Sequence, residues 1–307
     1  MRKAVGYIFA FFGVLLLVGV GLTCAGLTTL LDLPEHRLHK SSVLLLELDG
    51  VIDDGAKFLE KLRRYRKEDE IKGILVQINS PGGVVGPSQE IYMELKRTRE
   101  VFKKPVVVSC LGLAASGGYY AALGADKIIT TPGCMMGSIG VIMQFANLEK
   151  LLEWARIERY ALTTGKFKDT GAEYRPMSGE ERELLQGLLT DVLGQFKSAI
   201  VGSRKKLTPA IVEANADGRI FTGAKAVELG FADEIGTLDD ARRILGEMAG
   251  IGADPDVFKP RNLREGVWMN LFNEESRAGD FLGTVERIFH LKLQGRPLMI
   301  WPGALGL

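Results

Sequence analysis

The chain has 307 residues, 46% apolar and 25% charged, an ordinary globular composition with enough apolar residues for a full-sized core. Lys and Arg number 39 against 38 Asp and Glu, a net charge of +1, so nothing points to nucleic acid or another polyanion as a partner. The cysteines are Cys24, Cys110 and Cys134, with no CxxC pair and only 3 histidines. Neither a disulfide framework nor a zinc set is expected, and Cys110 and Cys134 read as buried free thiols.

The first residues differ from the rest. Met1-Arg2-Lys3 is basic, and Ala4 to Leu31 carries no charge and is rich in Leu, Val, Phe and Gly. A helix that crosses a bilayer needs about 20 apolar residues. A cleavable signal peptide has an apolar core of about 7–15 and a small-residue exit, and Thr23-Cys24-Ala25 is a poor one. Residues 1–31 therefore read as a cytoplasmic tip and one retained transmembrane anchor, and 32–42 as a connector. Arg2, Lys3 and the terminal amine favour the inside, against the opposing pull of Arg37 and Lys40, so the body is expected outside the cytoplasm.

Beyond the connector, strands and helices alternate. Strands are expected at Val43–Leu48, Gly73–Ile78, Pro105–Ser109 and Lys127–Thr130, and helices at Lys57–Lys67, Pro87–Arg99 and from Ser116 onward. Such alternation predicts βαβ crossovers and a mainly parallel sheet covered on both faces. Further along, a helix is expected at Leu148–Arg156, a strand at Arg159–Thr163, a long helix at Gly179–Lys206, and shorter helices at Ala210–Asn215, Ala224–Leu229 and Asp239–Glu247. Gly250–Pro255 reads as a linker. The last 50 or so residues show little pattern until Pro297-Leu-Met-Ile-Trp-Pro302. That apolar, strand-like segment has an uncharged tail and is expected to form an edge strand or an oligomer contact rather than a product mimic.

The chemistry centres on Ala114-Ala-Ser-Gly-Gly-Tyr-Tyr120. An apolar strand, a tight turn of small residues and a helix put a serine hydroxyl at a corner, as enzymes hold a nucleophile. A serine needs a base. His36, His39 and His290 have no motif around them. The loop Thr163-Thr-Gly-Lys-Phe-Lys168-Asp-Thr170 offers Lys166 and Lys168. A lysine serves as base only if burial lowers its pKa from about 10.4, and two lysines near a glycine are more often simply a solvated loop. Ser80-Pro-Gly-Gly83, after a strand, can turn its amides inward as one half of an oxyanion hole, and the amide of Gly117 would be the other. The same Pro-Gly-Gly also suits a plain turn.

Taken together, Asn79-Ser-Pro-Gly-Gly83, Ala114–Tyr120, Gly137-Ser-Ile-Gly-Val141, Gly165-Lys-Phe-Lys-Asp169 and Asp217-Gly-Arg-Ile-Phe-Thr-Gly223 resemble, in their order, the signal peptide peptidase A family of bacterial membrane-bound serine proteases, peptidase family S49. The first two motifs are also similar to the wider Clp protease and crotonase superfamily. The resemblance implies an α/β fold with a Clp protease/crotonase-like core, a serine peptidase domain over 43–250 and a C-terminal extension over 251–307. It aligns Ser116 with the nucleophile, Lys168 with the general base, Ser138 with a serine that orients the lysine, and Gly83 and Gly117 with the oxyanion-hole amides. Lys166 looks like a bystander, Gly118, Tyr119 and Tyr120 look like packing residues, and Asp217-Gly-Arg219 like a structural turn. It further implies no cofactor or metal, cleaved signal peptides as substrates, the bacterial inner membrane as location, and a homo-oligomeric ring or dome in which serine and lysine meet across subunits. A crotonase-type acyl-CoA enzyme and a non-catalytic membrane scaffold are the alternatives.

Overall fold

The structure, a computed structural model, describes residues 41–260 and 296–301. The expected membrane anchor, most of the connector, Cys24 and all three histidines lie outside the described residues. Among the described residues no helix is long and apolar enough to cross a membrane.

Apolar runs form the sheet. Strand β1 (Ser42–Asp49) lies between β2 (Ile71–Ser80) and β9 (Asp256–Phe258), parallel to both. Strand β4 (Val106–Ala115) pairs parallel with β2 on one side and forks on the other. Its Val107–Cys110 half pairs with β5 (Lys127–Thr130), and its Leu113–Ala115 half with β6 (Met135–Gly137), both parallel. Strand β7 (Ile220–Thr222) closes the β6 edge antiparallel, and β8 (Glu234–Ile235) extends β5. Val106, Val107 and Val108 are all fully buried, which is what a strand covered on both faces requires.

One face is covered by helix α8 (Leu238–Met248), whose Ala241, Ile244 and Leu245 pack on Val43, Leu75, Val107 and Ile129, one residue from each of four strands. The helix rides so close that a Cβ on Gly73 would come within 2.7 Å of Leu245 Cδ1. The other face carries α1 (Ala56–Tyr65) and α2 (Val85–Glu100), which bury Phe58, Leu59 and Leu62 and Ile91 and Leu95. Between these two helices Arg66 meets Glu94 at 2.5 Å, both buried, with Arg97 at 2.9 Å completing the cluster.

The expected elements recur with small shifts. Helices α3 (Gly117–Ala122), α4 (Glu149–Trp154), α5 (Gly179–Ser203), α6 (Pro209–Asn215) and α7 (Gly223–Leu229) lie where the pattern puts them. Two differences matter. Arg159–Thr163 is not a strand: it is irregular, with Tyr160 80% and Leu162 94% exposed, so alternating apolar residues found no sheet edge among the described residues. Leu298–Ile300 is a strand, β10, but not on the edge of the main sheet. It pairs antiparallel with β3 (Gly82–Val84), which grows out of the Ser80-Pro-Gly turn.

Truncating Leu245, the plug between α8 and four strands, is expected to cost about 2–5 kcal/mol. In urea unfolding, Leu245→Ala should lower the midpoint with an unchanged slope.

Candidate active site

Ser116 sits at the end of β4 and caps α3 with φ 51° and ψ −115°. A non-glycine residue at positive φ is held there by its surroundings, at a cost on the order of 1–3 kcal/mol. The restraints are visible: Ser116 N–H donates to Gly137 O (2.8 Å), and Ser116 O accepts from Tyr120 N–H (2.8 Å). The residue is fully buried, and its Oγ has no hydrogen-bond partner. Ser109 Oγ and Thr170 Oγ1 are likewise buried without a partner, so it is the strained backbone together with the unpaired hydroxyl that marks Ser116.

Gly82, Gly83 and Gly117 come together beside it. A Cβ on Gly117 would lie 2.4 Å from Ser88 Oγ and 3.1 Å from Gly83 N, and one on Gly82 only 2.5 Å from Gly117 N. Gly82 also has φ 95°, so only glycine lets the turn run this near the elbow. Ser80 shapes the turn: its hydroxyl donates to Gly50 O (2.6 Å) and accepts from Gly82 N–H (3.1 Å). The turn at Gly82 and Gly83 and the elbow at Gly117 thus meet backbone to backbone at one point.

That point is occupied by the chain itself. Strand β10 is bound on two sides. Trp301 N–H donates to Pro81 O (2.8 Å) and Val85 N–H to Pro297 O (3.3 Å), with Met299 paired to Gly83 between them. Across the strand, Leu298 and Ile142 exchange both backbone hydrogen bonds at 2.9 Å. The Met299 carbonyl oxygen lies 2.0 Å from a Cβ built on Gly82 and 2.9 Å from one on Gly117. It therefore lies against the glycine backbone of both segments, with Met299 in register with Gly83. Leu298, Met299 and Ile300 are all buried. The expected edge strand or oligomer contact is instead a strand in the groove. The continuous apolar run made the strand legible; its address depends on a pairing more than 200 residues distant in the chain, which no local pattern carries.

Ser138 is buried at φ 49°, its N–H donating to Arg219 O (2.7 Å), directly after the Gly137 that holds Ser116. Asp217 and Arg219 pair with each other, and Gly218 N–H donates to Ile139 O (3.1 Å), so the Asp-Gly-Arg segment is the structural turn it resembles. Tyr119 packs on Phe196 and Phe231 and donates its hydroxyl proton to Phe231 O (2.9 Å). Burial pushes its ionisation far up, so Tyr119 is a packing residue. Cys110 and Cys134 are buried free thiols, with burial raising the pKa of both. Among the described residues no group of His, Cys, Asp or Glu is arranged to hold a metal ion.

Lys168 is not brought to Ser116. It lies on an exposed turn, its N–H donating to Gly165 O (3.1 Å), while the Ser116 hydroxyl has no partner. Lys166 is paired with Glu180. Around this turn no residue from Val141 to Glu180 is buried. Large apolar groups face outward: Leu151, Trp154 (82% exposed), Ile157, Tyr160 and Phe167. A groove of about 470 Å³ beside them is lined by Met143, Phe145, Leu185 and Leu189.

Comparison with known proteins decides the family. The peptidase family S49 profile matches residues 99–252, and the Clp protease profile residues 35–137. The chain is 36% identical over 278 residues to a putative protease of Synechocystis, 87% of this chain and 99% of that one. The chain belongs to peptidase family S49. A putative signal peptide peptidase SppA of Enterococcus faecium is 32% identical over 67% of this chain and 63% of its own length. The chloroplastic serine protease SPPA of Arabidopsis thaliana is 34% identical over 66% of this chain and 29% of its own. This S49 chain is thus a protease, with the α/β, mainly parallel, Clp-like core expected of it.

The Lys168 turn is tied down by carboxylates. Arg175 hydrogen bonds pull Glu181 from an ordinary 4.5 to about 2, and hold Asp169 below the usual range. Groups with depressed folded pKa values stabilise above their unfolded pKa and cease to as pH falls through the folded one. Intrinsic-rate-corrected amide exchange in residues 165–178 should be constant from neutrality down to pH ~5 and rise as pH falls from 4.5 towards 2.

Proposed function

We propose that this chain is a membrane-anchored serine endopeptidase with a Ser116–Lys168 dyad that degrades cleaved signal peptides and similar apolar peptides. The observation that carries the proposal is the Met299 carbonyl beside the Gly83 and Gly117 amides, next to a strained, buried serine whose hydroxyl has no partner. A peptide bound as β10 is bound would be extended, hydrogen-bonded to β3 on one edge and to Ile142 on the other. This is recognition by strand addition, in which main-chain bonds give affinity and pockets select side chains. Three buried apolar residues in that strand favour apolar substrates.

In the proposed reaction, neutral Lys168 accepts the Ser116 proton as Oγ attacks the peptide carbonyl. The carbonyl oxygen takes up the negative charge against the Gly83 and Gly117 amides. Lys168, now protonated, gives its proton to the leaving amine, and the peptide C–N bond breaks. Water, deprotonated by the same lysine, then releases the acyl group from Ser116. Ser138 fits a role in orienting the lysine, because the segment that begins with Gly137 O, bonded to Ser116 N–H, carries it.

A single chain leaves the Ser116 hydroxyl without a partner and Lys168 exposed to solvent. The exposed apolar groups on the segment that carries Lys168 support a homo-oligomeric ring or dome, in which packing against a second copy brings the lysine to a serine and strips its water. The uncharged N-terminal run supports a single span in the bacterial cytoplasmic membrane, with the catalytic domain outside the cytoplasm. Tethering there keeps the enzyme beside apolar peptides that partition into the bilayer.

Three outcomes test this reading. Ser116→Ala and Lys168→Ala each should lower peptide hydrolysis at least a thousandfold, in line with the loss of a nucleophile or its base. Unchanged turnover by either would overturn the dyad. Co-assembly of these two inactive variants should restore part of the activity if the dyad spans two chains, and none if it lies within one. Truncation before Pro297 should lower KM for a short apolar peptide several-fold; an unchanged KM would mean that β10 does not compete for the groove in solution.

A further inference from the structure

The segment that carries Lys168 contains no buried residue from Val141 to Glu180, so apolar packing within its own chain does not fix it. It contains instead one dense polar knot. The Asp169 carboxylate, next in sequence to Lys168, accepts from Arg175 Nε (3.1 Å) and Nη2 (2.9 Å) and from the Tyr174 hydroxyl (3.1 Å). The other edge of the same guanidinium donates to Glu181, Nη1 to Oε2 at 2.9 Å and Nη2 to Oε1 at 2.5 Å. Glu181 is 3% exposed and belongs to the capping box that starts α5: its carboxylate accepts from Ser178 N–H (2.8 Å), and its own N–H donates to Ser178 Oγ (3.2 Å). Arg175 also donates to the carbonyls of Pro176 (3.1 Å) and Asp169 (3.4 Å). One side chain thus forks onto both carboxylates and fixes the Lys168 turn to the first turn of a 25-residue helix.

We propose that Arg175 is the positioning residue for the general base, holding the Lys168 turn in place and compensating the negative charge of Asp169 beside it. The inference rests on the reading of Lys168 as the base. Geometry supplies its first half. A planar guanidinium serves two carboxylates at once, whereas an ammonium is a single point charge with no such fork. Electrostatics supply the second. A lysine that must give up its proton is hindered by a nearby uncompensated carboxylate, which favours the charged amine. The charged groups around Asp169 are Arg175, Glu181 and the Arg159–Glu173 pair, whose arginine stacks 5.5 Å from the Tyr174 ring; Lys166 and Glu180 pair with each other. Asp169 is therefore the carboxylate next to Lys168 whose charge depends on Arg175 for its balance. Removal of Arg175 frees both the turn and that charge.

The test is the pH dependence of kcat and kcat/KM for the full-length assembled enzyme, with Lys168→Ala as control. Arg175→Ala should lower kcat about tenfold or more through misplacement of the base. It should also move the acidic limb of the profile upward by about half a pH unit. Arg175→Lys, which keeps the charge and loses the fork, should lower kcat with the limb close to its parent position. Asp169→Asn should move the limb downward, and adding it to Arg175→Ala should bring the limb back. If Arg175→Ala does not assemble, Arg175→Lys and Asp169→Asn carry the same two readouts. An inactive Lys168→Ala together with unmoved limbs in the Arg175 and Asp169 variants overturns the inference and leaves the dyad standing. An active Lys168→Ala overturns both.

Discussion

The site exists because two backbones touch. Where the turn after β2 meets the elbow after β4, there is no room for a side chain. A Cβ on Gly82 would fall 2.5 Å from Gly117 N, and one on Gly118 would fall 2.9 Å from Ser80 O. Contact this close brings the backbone of one segment directly against that of the other. Strain in the elbow is the companion of that contact: Ser116 and Ser138 both hold positive φ, and the N–H of each donates to a backbone carbonyl. The parallel sheet beneath, fully buried valines with α8 on one face and α1 and α2 on the other, is rigid enough to carry this strain.

Built on that junction, a single chain holds part of the proposed catalytic apparatus. The Ser116 elbow and the Gly83 and Gly117 backbone rest on the sheet and are buried. The lysine rests on a segment with no core of its own, tied to α5 by an arginine fork and covered in outward-facing aromatic and aliphatic side chains. The division has a physical logic. Amides and an elbow need fixed backbone, which a sheet supplies. In the proposed mechanism the base is an amine that must be neutral and therefore dry, and an arm that is bare in one chain would become dry by packing against something else.

Strand β3 and Ile142 present two backbone edges to one segment between them, and an extended strand satisfies both at once. The chain's own Leu298–Ile300 does this with main-chain bonds on both sides and three buried apolar side chains. In the proposed function a peptide substrate would compete with a segment tethered to the same molecule, whose effective concentration would set the bar for binding.

The amino-acid sequence by itself determined the alternation of strands and helices, the small-residue elbow around Ser116, the Pro-Gly-Gly turn and the uncharged N-terminal run. Each is written in local propensity and spacing, and hydrophobic period and glycine sterics act over a few residues. The forked pairing of β4, the convergence of Gly83 and Gly117, the seat of Met299 on both and the fork of Arg175 between Asp169 and Glu181 were decided only in three dimensions. So was the failure of Arg159–Thr163 to become a strand, since its alternating pattern needed an edge to join. The reason is common to all of these: they depend on which groups distant in the chain become neighbours, and contact of that kind is fixed by packing and not by the residues on either side.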